Sequence, residues 1–468
     1  MSNFKRFNLK TPDDLKTALK ECGLELPISD QLSVLGDSVK LGECTLPNRF
    51  VVQPMEGVDG DPVTGAATDL TYRRYRRFAE GGSGLIWAES VAVSPDGVSG
   101  ARQMRINKDN LDSYKRIVEL IKESAFKKFG HEVTTVIQLT HSGRYSRPGG
   151  VVTPLKAQHN PFLDKSLGME DVEPVSDDYL MRLQDKFVEA AMLLAEAGFD
   201  GIDMKAVHGY LVAELLGSHL RAGRFGGSYE NRTRFIRECA QQMTESLPAG
   251  VFVTSRCTVL EPCPYPYGWG VKKREEVREL EKNVHEHPTA SEVKKSEDWE
   301  MDLTEPQKLM KECAELGMPL FNVSMGFPRF QPYMNRPHDN SLAGMPPPPE
   351  YPLAGVVRFQ QTVRDMQHHV PQLPVVTAGL AWLRHLMPQV AAGLVEKGWC
   401  TLIGQGRGAF AYPDSVRDIL KKGLMDPSKC CTTCSLCSQI MKDGLGKGGC
   451  VVRDKEIYAP EFLKGKLR

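Results

Sequence analysis

The feature that most constrains this chain is the alternation of a strand-like run with a helical segment, repeated eight times. The short apolar runs have the length and the β-branched content of buried strands. They lie at residues 49–54, 84–88, 133–139, 200–205, 251–256, 319–324, 374–378 and 400–404. Between them, segments such as 111–128 and 178–198 repeat apolar residues every three and four positions, as amphipathic helices do. Eight repeats predict parallel βα units in an α/β protein, and a closed (β/α)8 TIM barrel is the commonest way to satisfy them.

A doubly wound open sheet is the alternative fold. It is the weaker interpretation because no G-x-G-x-x-G follows the first strand, where a dinucleotide-binding sheet requires it. Around a barrel at residues 39–425, we expect an N-terminal extension at 1–38 with one added helix, and a cysteine-rich C-terminal segment at 426–468. Two long connections, 257–305 and 327–353, follow strands and would lie over the C-terminal mouth of a barrel, where active sites are built.

Charge and hydropathy restrict the class of protein. The chain has 59 Lys+Arg and 59 Asp+Glu, so its formal net charge is +0. A nucleic-acid-binding or polybasic membrane protein needs a net or clustered positive charge, so we expect neither partner. No apolar run is long enough to span a membrane, and the first residues lack the apolar core of a signal peptide. We expect a folded cytoplasmic protein.

Chemically useful side chains follow the predicted strands, at positions that barrel geometry brings together. Glycine-rich turns at Gly379 and at 404–407 offer backbone N–H groups to a phosphate, which favours a phosphate-bearing cofactor. Flavin mononucleotide (FMN) also needs an amide for its pyrimidine edge, which Gln138 offers, and a cation near N1 and C2=O, which Arg256 offers. The alternatives are a buried amide satisfied by backbone for Gln138 and a salt bridge at the barrel rim for Arg256.

Six segments at these positions resemble the old yellow enzyme family of FMN-dependent barrels. They are NRFVVQPM (48–55), GGSGLI (81–86), QLTHSGR (138–144), GFDGIDMKAVHGYL (198–211), RAGRFGGSYENRTRF (221–235) and IGQGRGAFAYPD (403–414). They occur in the order and at the spacing of the family. The resemblance implies a flavin-dependent oxidoreductase that holds FMN without a covalent bond. The implied cofactor-binding residues are Pro54, Met55, Glu56, Ala88, Gln138, Arg256, Gly379, Gly404, Gly406 and Arg407.

The resemblance also implies three catalytic residues, with Lys205 and His208 polarising the substrate and Tyr210 donating a proton. Lys205 departs from the family pattern, which commonly has histidine there. An ammonium still donates to a carbonyl or carboxylate oxygen, and its full charge favours an anionic or strongly polarised substrate group. The alternative is that Lys205 pairs with a neighbouring carboxylate such as Asp203 or Glu89 and only holds the loop.

Glu56 is a second departure from the family pattern. Many relatives have a small residue or a cysteine there, and in trimethylamine dehydrogenase that cysteine bonds covalently to the flavin. With Glu56 in this place, no covalent link is expected. We expect burial to raise the pKa of this carboxyl enough for a role as acid or base. The alternative is an ion pair with the arginine-rich YRRYRRF segment at 72–78.

Five cysteines between Cys430 and Cys450 give a separate chemical signal. The pattern Cys431-x2-Cys434-x2-Cys437-x12-Cys450, in which the last cysteine follows the glycine-rich KDGLGKGG stretch, is a spacing that ligates a [4Fe–4S] cluster. Four cysteines at this spacing could also hold zinc, although structural zinc more often uses two separated C-x2-C pairs. Cys430 is left over, either spare or a minor alternative ligand.

The cysteine pattern resembles the iron–sulfur branch of the family, which includes trimethylamine dehydrogenase and, with its third cysteine one residue later, 2,4-dienoyl-CoA reductase. In those relatives a flavin- or nucleotide-binding region follows the cluster, whereas only a short stretch follows Cys450 here. We therefore expect electrons from a separate carrier protein, namely a ferredoxin, flavodoxin or flavoprotein. The alternative is that reduced nicotinamide meets FMN directly and the cluster is a side branch.

The predicted function is an ene-reductase that reduces a C=C bond conjugated to a carbonyl or carboxyl group. Hydride would pass from FMN N5 and a proton from Tyr210. Two alternatives stay open. One is an amine dehydrogenase that passes electrons outward through the cluster, and the other is a zinc-stapled barrel without catalysis.

Overall fold

The computed structural model describes residues 4–273, 299–442 and 447–466, and a closed barrel of eight parallel strands lies at its centre. The strands in these residues are β1 (Val39–Leu41), β2 (Cys44–Leu46), β3 (Phe50–Val52), β4 (Leu85–Ala92), β5 (Thr134–Thr140), β6 (Gly201–Met204), β7 (Phe252–Thr258), β8 (Val271–Lys273), β9 (Trp299–Met301), β10 (Phe321–Ser324), β11 (Val375–Thr377) and β12 (Leu402–Gln405). The barrel order is β3-β4-β5-β6-β7-β10-β11-β12, and β12 pairs with β3 to close it. The (β/α)8 prediction is confirmed, and the open-sheet alternative is wrong.

Each of the eight predicted strands corresponds to one barrel strand. Barrel strands are covered on both faces, which is why they read as continuous apolar runs, and β4 and β5 are buried at every residue. The strand predicted at 84–88 continues to Ala92, because a register shift between Ala88 and Ser90 lets it keep pairing with β5. This irregularity brings Glu89 and Ser90 to the mouth of the barrel.

Helices connect the strands and cover the barrel. Those in the described residues are α1 (Pro12–Glu21), α2 (Asp69–Ala79), α3 (Leu111–Phe129), α4 (Pro161–Leu167), α5 (Asp177–Glu196), α6 (Leu211–Leu216), α7 (Tyr229–Arg232), α8 (Arg234–Ser246), α9 (Thr304–Glu315), α10 (Pro332–Asn335), α11 (Pro352–His369), α12 (Met387–Glu396), α13 (Arg407–Ala411), α14 (Ser415–Lys422), α15 (Leu436–Lys442) and α16 (Lys455–Lys466). None of them is both long and apolar enough to cross a membrane.

The N-terminal helix α1 has the sequence signals of a stable start. Thr11 and Asp14 form a reciprocal capping box, and a proline occupies the first turn. Its apolar stripe, Leu15 and Leu19, is buried in the main hydrophobic core of the chain. The extension therefore contains the added helix that the sequence predicted.

The two long connections differ in how much of them the structure describes. In the first, residues 274–298, which hold most of its charged part, lie outside the described residues, and β8 pairs with β9 on either side of them. In the second, α10 and the residues beside it lie over the barrel mouth and line its cavity, with Pro328, Arg329, Asn335 and Arg336.

The C-terminal segment lies against the barrel beside α2. Arg73 donates to both carboxylate oxygens of Asp454, at 2.8 and 2.9 Å, and Arg77 also donates to Asp454. The Gly448 N–H donates to the carbonyl of Gly57, and a Cβ at Gly448 would lie only 2.5 Å from the carbonyl oxygen of Glu56. Glycine is therefore required at this close approach between the cysteine segment and the barrel mouth. Residues 443–446 of the glycine-rich stretch lie outside the described residues.

Replacing Asp454 with asparagine is expected to loosen the C-terminal segment. The substitution removes the negative charge that Arg73 and Arg77 share. Since both arginine side chains are partly exposed, we expect the docking of the segment to weaken by only roughly 1–2 kcal/mol. Limited trypsin digestion should then cleave within residues 442–455 several times faster than in the wild type. Glu456→Gln, at an exposed position on α16, is the matched control, and equal cleavage of D454N and E456Q would contradict the docking role.

Candidate active site

A cavity of about 250 Å³ opens where the carboxyl ends of the barrel strands meet. The predicted site residues that line it are Pro54, Met55, Glu56, Gln138, Lys205, His208, Tyr210, Arg256, Gly379, Gly404, Gly406 and Arg407. Ala88 is the exception, because its side chain is buried within β4 and not among those lining the cavity. The folded chain thus brings together residues that are more than 350 positions apart in sequence.

Several lining residues were not singled out as site residues by sequence reasoning. They are Gln53, Pro328, Arg329, Asn335, Arg336, Leu380, Ala381, Arg384, Met387, Ile403, Gly408, Tyr412, Met425 and Met441. Many come from loops and from the C-terminal segment, where no periodicity indicates the direction of a side chain. The arginines of the 327–353 connection were the available signal, since charged side chains in a loop over a barrel mouth point to binding.

Lys205 forms a compact polar group with Glu56 and Ser90 beside the proposed proton donor. Its Nζ lies 2.8 Å from Glu56 Oε1 and 3.1 Å from Ser90 Oγ, and Ser90 Oγ donates to the same carboxylate oxygen. The ammonium also lies over the ring of Tyr210, 3.8 Å from its centroid. Lys205 therefore does pair with a carboxylate, but with Glu56, so the predicted partners Asp203 and Glu89 are both wrong.

The electrostatics of Glu56 differ from the prediction. Burial alone would raise the pKa of this carboxyl, but the Lys205 ammonium and the Ser90 hydroxyl outweigh burial and hold the pKa below its ordinary value. The expectation of a raised pKa and an acid or base role is therefore wrong. Glu56 is an anion at neutral pH, and its charge neutralises that of Lys205.

The predicted pairing of Glu56 with the YRRYRRF segment is also wrong. From that segment the fully buried Arg74 instead contacts Asp59 and Glu89. Glu89 also accepts the Gly57 N–H at 2.8 Å, and burial raises the pKa of Glu89 to about 7. This network anchors the loop that carries Glu56, through the contact of Glu89 with the Gly57 backbone.

His208 and Tyr210 lie on a constrained turn after β6. His208 has φ +68°, which is unusual for a residue with a side chain, and Gly209 has φ +68° as well. The Gly209 N–H donates to Glu261 Oε1 at 2.9 Å, and His208 Nε2 lies 3.2 Å from Asn335 Nδ2 and 3.4 Å from Ser324 Oγ. These contacts hold the two side chains toward the cavity.

The turn keeps its two functional groups in defined protonation states. Burial, with the nearby charges of Arg256 and Lys205, lowers the pKa of His208 well below its ordinary value, so the imidazole is neutral. Burial and the Glu56 charge raise the pKa of Tyr210, so the phenol keeps its proton at neutral pH. A neutral imidazole can donate one hydrogen bond, and a protonated phenol can supply a proton.

The buried carboxyl of Glu261 is expected to make the stability of the protein depend on pH. Burial, with the charge of Glu214, raises the pKa of Glu261 to about 8, from an ordinary value of 4.5. Between these two values the folded chain binds the proton more tightly than the unfolded chain, so stability falls as pH rises through this window. Glu261→Gln keeps an acceptor for Gly209 and removes the titration. Between pH 5 and pH 8, we expect the thermal unfolding midpoint of this variant to fall less than that of the wild type, by about a few degrees.

The exposed Glu245 on α8 provides the control for this prediction, because Glu245→Gln changes the same group in solvent. Differential scanning calorimetry of the three proteins at several pH values checks it. The same pH dependence in E261Q and the wild type would contradict a buried protonated carboxyl.

The side chains on the β5 and β7 side of the cavity fit the pyrimidine edge of FMN. Gln138 Nε2 donates to Asp203 Oδ2 at 2.6 Å, and Asp203 also accepts from Trp87 Nε1 and from the Arg256 N–H. Gln138 is thus fixed by a side chain and not satisfied by backbone, so that alternative is wrong, and its amide oxygen remains for a ligand.

Arg256 is a buried cation that forms no ion pair within the described residues, although the charge of Asp203 acts on it. Its Nε has no hydrogen-bond partner, and no carboxylate in the described residues lies within salt-bridge distance, so the rim salt-bridge alternative is wrong. Burial lowers the pKa of this guanidinium to about 10. A buried unpaired cation is costly and needs an anion, as the N1–C2=O edge of a reduced flavin would supply.

The opposite end of the cavity fits a phosphate. Arg407 is buried, donates Nη2 to the carbonyl of Pro337 at 3.0 Å, and leaves Nη1 without a partner. Arg336 beside it leaves Nε without a partner, and in the described residues neither arginine has an ion-paired carboxylate. Gly379, with φ +82°, turns the chain after β11 on the same side. The donor set of this end fits the dianionic phosphate of FMN.

Four cysteines line a second, smaller cavity, which we call the cysteine cavity. Its lining residues are Arg407, Phe410, Cys431, Thr432, Cys434, Ser435, Cys437, Cys450 and Val451. Within the described ranges, no three histidine, cysteine or acidic side chains are placed to ligate one metal ion. Cys431 and Arg407 line both cavities, so the two sites adjoin.

The backbone around the cysteine cavity is strained and aims two N–H groups at sulfur atoms. Thr433 and Ser435 adopt φ +51° and +60°, which is strained for residues other than glycine. The Thr433 N–H points at Cys431 Sγ at 3.4 Å, and the Arg453 N–H points at Cys450 Sγ at 3.3 Å. Cys430 lies apart, since it is not among the residues lining the cysteine cavity and its Sγ contacts the carbonyl of Asp426.

Comparison with known proteins identifies the family. Residues 36–290 match the NADH:flavin oxidoreductase / NADH oxidase family, and the chain belongs to it. The chain is 31% identical over 212 residues to an NADPH dehydrogenase of Bacillus cytotoxicus, covering 45% of this chain and 58% of that protein. It is 24% identical over 405 residues to an NADH oxidase of Thermoanaerobacter brockii, covering 85% of this chain and 52% of that protein. The chain thus spans little more than half the length of these relatives.

Solved structures share the fold. A complex of 2-naphthoyl-CoA reductase with 2-naphthoyl-CoA superposes with a TM-score of 0.66 at 18% identity, covering 92% of this chain and 58% of that one. Histamine dehydrogenase from Rhizobium sp. 4-9 gives 0.63 at 19% identity, covering 89% and 52%. Morphinone reductase gives 0.57 at 19% identity, covering 86% and 93%. These likenesses show that the chain shares its fold with these proteins.

Proposed function

We propose that the protein is an FMN- and [4Fe–4S]-dependent oxidoreductase that reduces an activated C=C bond. One observation carries the proposal. A single cavity gathers Gln138, buried unpaired arginines at both ends, and the His208–Tyr210 turn between them. The family assignment and the names of the relatives, NADPH dehydrogenase and NADH oxidase, support flavin chemistry.

When bound, FMN would supply hydride from N5 to the β carbon of the alkene. Gln138 would hold the pyrimidine edge, and Arg256 would compensate the negative charge that develops at N1 and C2=O on reduction. Arg407 and Arg336, with the turns at Gly379, Gly404 and Gly406, would hold the phosphate. Pro54, Met55 and Glu56 would complete the wall beside them.

The chain supplies two donors for the activating oxygen of the substrate. His208 is neutral and donates through one ring N–H. Lys205 uses two of its three N–H donors on Glu56 and Ser90, so one remains for the substrate. Tyr210 supplies the proton to the α carbon. The Arg329 charge and the hydrogen bonds of Arg329 and Ser99 lower the pKa of Tyr210 against the effect of burial, so they stabilise the phenolate that is left.

We also propose that Cys431, Cys434, Cys437 and Cys450 ligate the cluster. The four thiols line one cavity, the backbone there is strained, and two N–H groups point at sulfur, as in sites that stabilise thiolates. When bound, the cluster would exchange single electrons with the adjoining flavin site. The zinc alternative gives no reason for the cysteine cavity to adjoin a redox cavity.

A separate carrier protein is our proposed electron donor. The ligating cysteines are partly exposed, so a cluster there would lie close enough to the surface for a docked one-electron carrier. Direct reduction of FMN by reduced nicotinamide is the competing route, and the names of the relatives keep it in the test.

The charge of the cavity argues against an amine dehydrogenase, although histamine dehydrogenase shares the fold. The cationic side chains Lys205, Arg256, Arg329, Arg336, Arg384 and Arg407 line the cavity with one carboxylate, Glu56. Lys205 and Arg384 are ion-paired, and FMN would compensate Arg256, Arg336 and Arg407, so Arg329 is the lining cation that would repel a protonated amine but not a neutral enone or an anionic alkene.

The test is anaerobic reoxidation of reduced holoenzyme. Purified protein is reduced with dithionite or, in parallel, with NADH, NADPH or reduced ferredoxin, and cyclohexenone is then added. Return of the flavin absorption with formation of cyclohexanone supports the proposal. Reoxidation by no enone, together with reduction of the oxidised protein by histamine or trimethylamine, would overturn it in favour of amine oxidation.

A further inference from the structure

The charges around the cavity do not balance. Of its six cations, Lys205 is paired with Glu56, and Arg384 is paired with Asp339 at 2.7 Å. Four arginines then remain without an ion-paired carboxylate in the described residues: Arg256, Arg329, Arg336 and Arg407. The unpaired charges of the buried Arg256 and Arg407 favour anionic ligands in the cavity.

FMN accounts for three of these four arginines, an assignment that rests on the proposed function. Arg256 would face the flavin edge, and Arg336 and Arg407 would hold the phosphate; Arg407 lines both this cavity and the cysteine cavity. Arg329 is the fourth; its charge lowers the pKa of Glu56, but that carboxylate is ion-paired with Lys205, and Arg329 has no ion pair of its own in the described residues.

Arg329 lies beside the proposed proton donor. Its guanidinium stacks over the ring of Tyr145, 4.2 Å from the centroid, and that ring is 5.8 Å from the ring of Tyr210. Tyr145 itself is buried. This geometry holds an exposed arginine over the entrance to the reaction centre, where it hydrogen-bonds to Tyr210 and keeps further N–H groups of its fork for a ligand.

A second arginine, Arg147, strengthens the positive field at this entrance. It is exposed, and it too has no ion-paired carboxylate in the described part of the chain. Partial burial lowers the pKa of Arg147, and the charge of Arg329 lowers it further, so the two guanidiniums act on each other. Two like charges without a counter-ion attract an anion from solution.

We propose that Arg329, assisted by Arg147, binds a carboxylate of the substrate that is remote from the reacting C=C bond. The fork of a guanidinium matches a carboxylate with two hydrogen bonds. Lys205 cannot take this role, because Glu56 already neutralises it. The substrate class is therefore a conjugated enone or enoate ester with a separate carboxylate tail, and the tail is unchanged by the reaction.

The experiment compares cyclohexenones that carry an acetate, propanoate or butanoate side chain with their methyl esters. Dissociation constants for oxidised FMN-loaded enzyme are read from the perturbation of the flavin spectrum, so binding is measured without turnover. We expect at least one acid to bind about tenfold more tightly than its ester. Arg329→Gln should abolish this preference, and Arg329→Lys should keep part of it.

Arg116 offers a matched control, because it stacks over Tyr72 at the same 4.2 Å on the outside of the barrel. Arg116→Gln should leave the preference for the acid intact. Equal binding of every acid and its ester by the wild type, no binding of either, or an unchanged preference in R329Q would overturn the inference. Reoxidation of the reduced enzyme by cyclohexenone itself reports separately on the proposed function.

Discussion

Replacing Cys434 with serine is expected to remove nearly all iron and acid-labile sulfide from the purified protein. A [4Fe–4S] cluster needs one thiolate for each iron, and a serine hydroxyl is a poor substitute for the second cysteine of a tight C-x2-C-x2-C loop. Iron should fall from about four atoms per chain to a small fraction of one. FMN content should stay unchanged, because Gln138, Arg256 and Arg407 are not altered.

The neighbouring Cys430 is the control for this experiment. It lies in the same stretch of chain, but its side chain lines the larger cavity and contacts Asp426. Cys430→Ser should retain its iron. Full iron in C434S, or loss of iron only in C430S, would contradict the ligand set.

Replacing Tyr210 with phenylalanine is expected to lower the rate of alkene reduction by about a hundredfold or more. The phenol is the proposed acid that faces the cavity from the His208–Tyr210 turn, and phenylalanine keeps its shape without its proton. Stopped-flow reoxidation of reduced enzyme by cyclohexenone measures the effect. Reduction of the flavin by its electron donor should be unaffected, because no proton from Tyr210 is needed in that half-reaction.

Tyr72 provides the matched control, since its hydroxyl donates to the carbonyl of Ser113 on the outside of the barrel. Tyr72→Phe should reduce the alkene at the wild-type rate. If Y210F lies within twofold of the wild type, the proton comes from another group, and Tyr210 loses its proposed role.

The barrel was predictable from the sequence because its strands are buried on both faces. Continuous β-branched runs can be recognised in a single sequence, and closure of the barrel then determines which strand ends meet. That rule alone brought Gln138, Arg256 and the turns at Gly379 and Gly404 to one cavity. It failed at Ala88, because the bulge that follows moves the end of β4 to Ala92 and places Ser90 in the site instead.

Pairwise electrostatics were not predictable, because they depend on distances between side chains from different strands. Glu56 and Lys205 are 149 positions apart, and only the closed barrel places them 2.8 Å from each other. This contact reversed the expected direction of the Glu56 pKa shift. The place of Arg329 and Arg336 in the cavity was not predictable for a related reason, since a loop without periodicity gives no indication of the direction of its side chains.

The central claim is that one chain holds a flavin and an iron–sulfur cluster in adjoining sites. Its most direct test is an ultraviolet–visible spectrum of anaerobically purified protein, with iron, zinc and acid-labile sulfide assayed on the same sample. The account predicts flavin bands over a broad visible shoulder, with about four irons and four sulfides per chain. Flavin with zinc and no sulfide would contradict the electron-relay role, and protein without flavin would contradict the account as a whole.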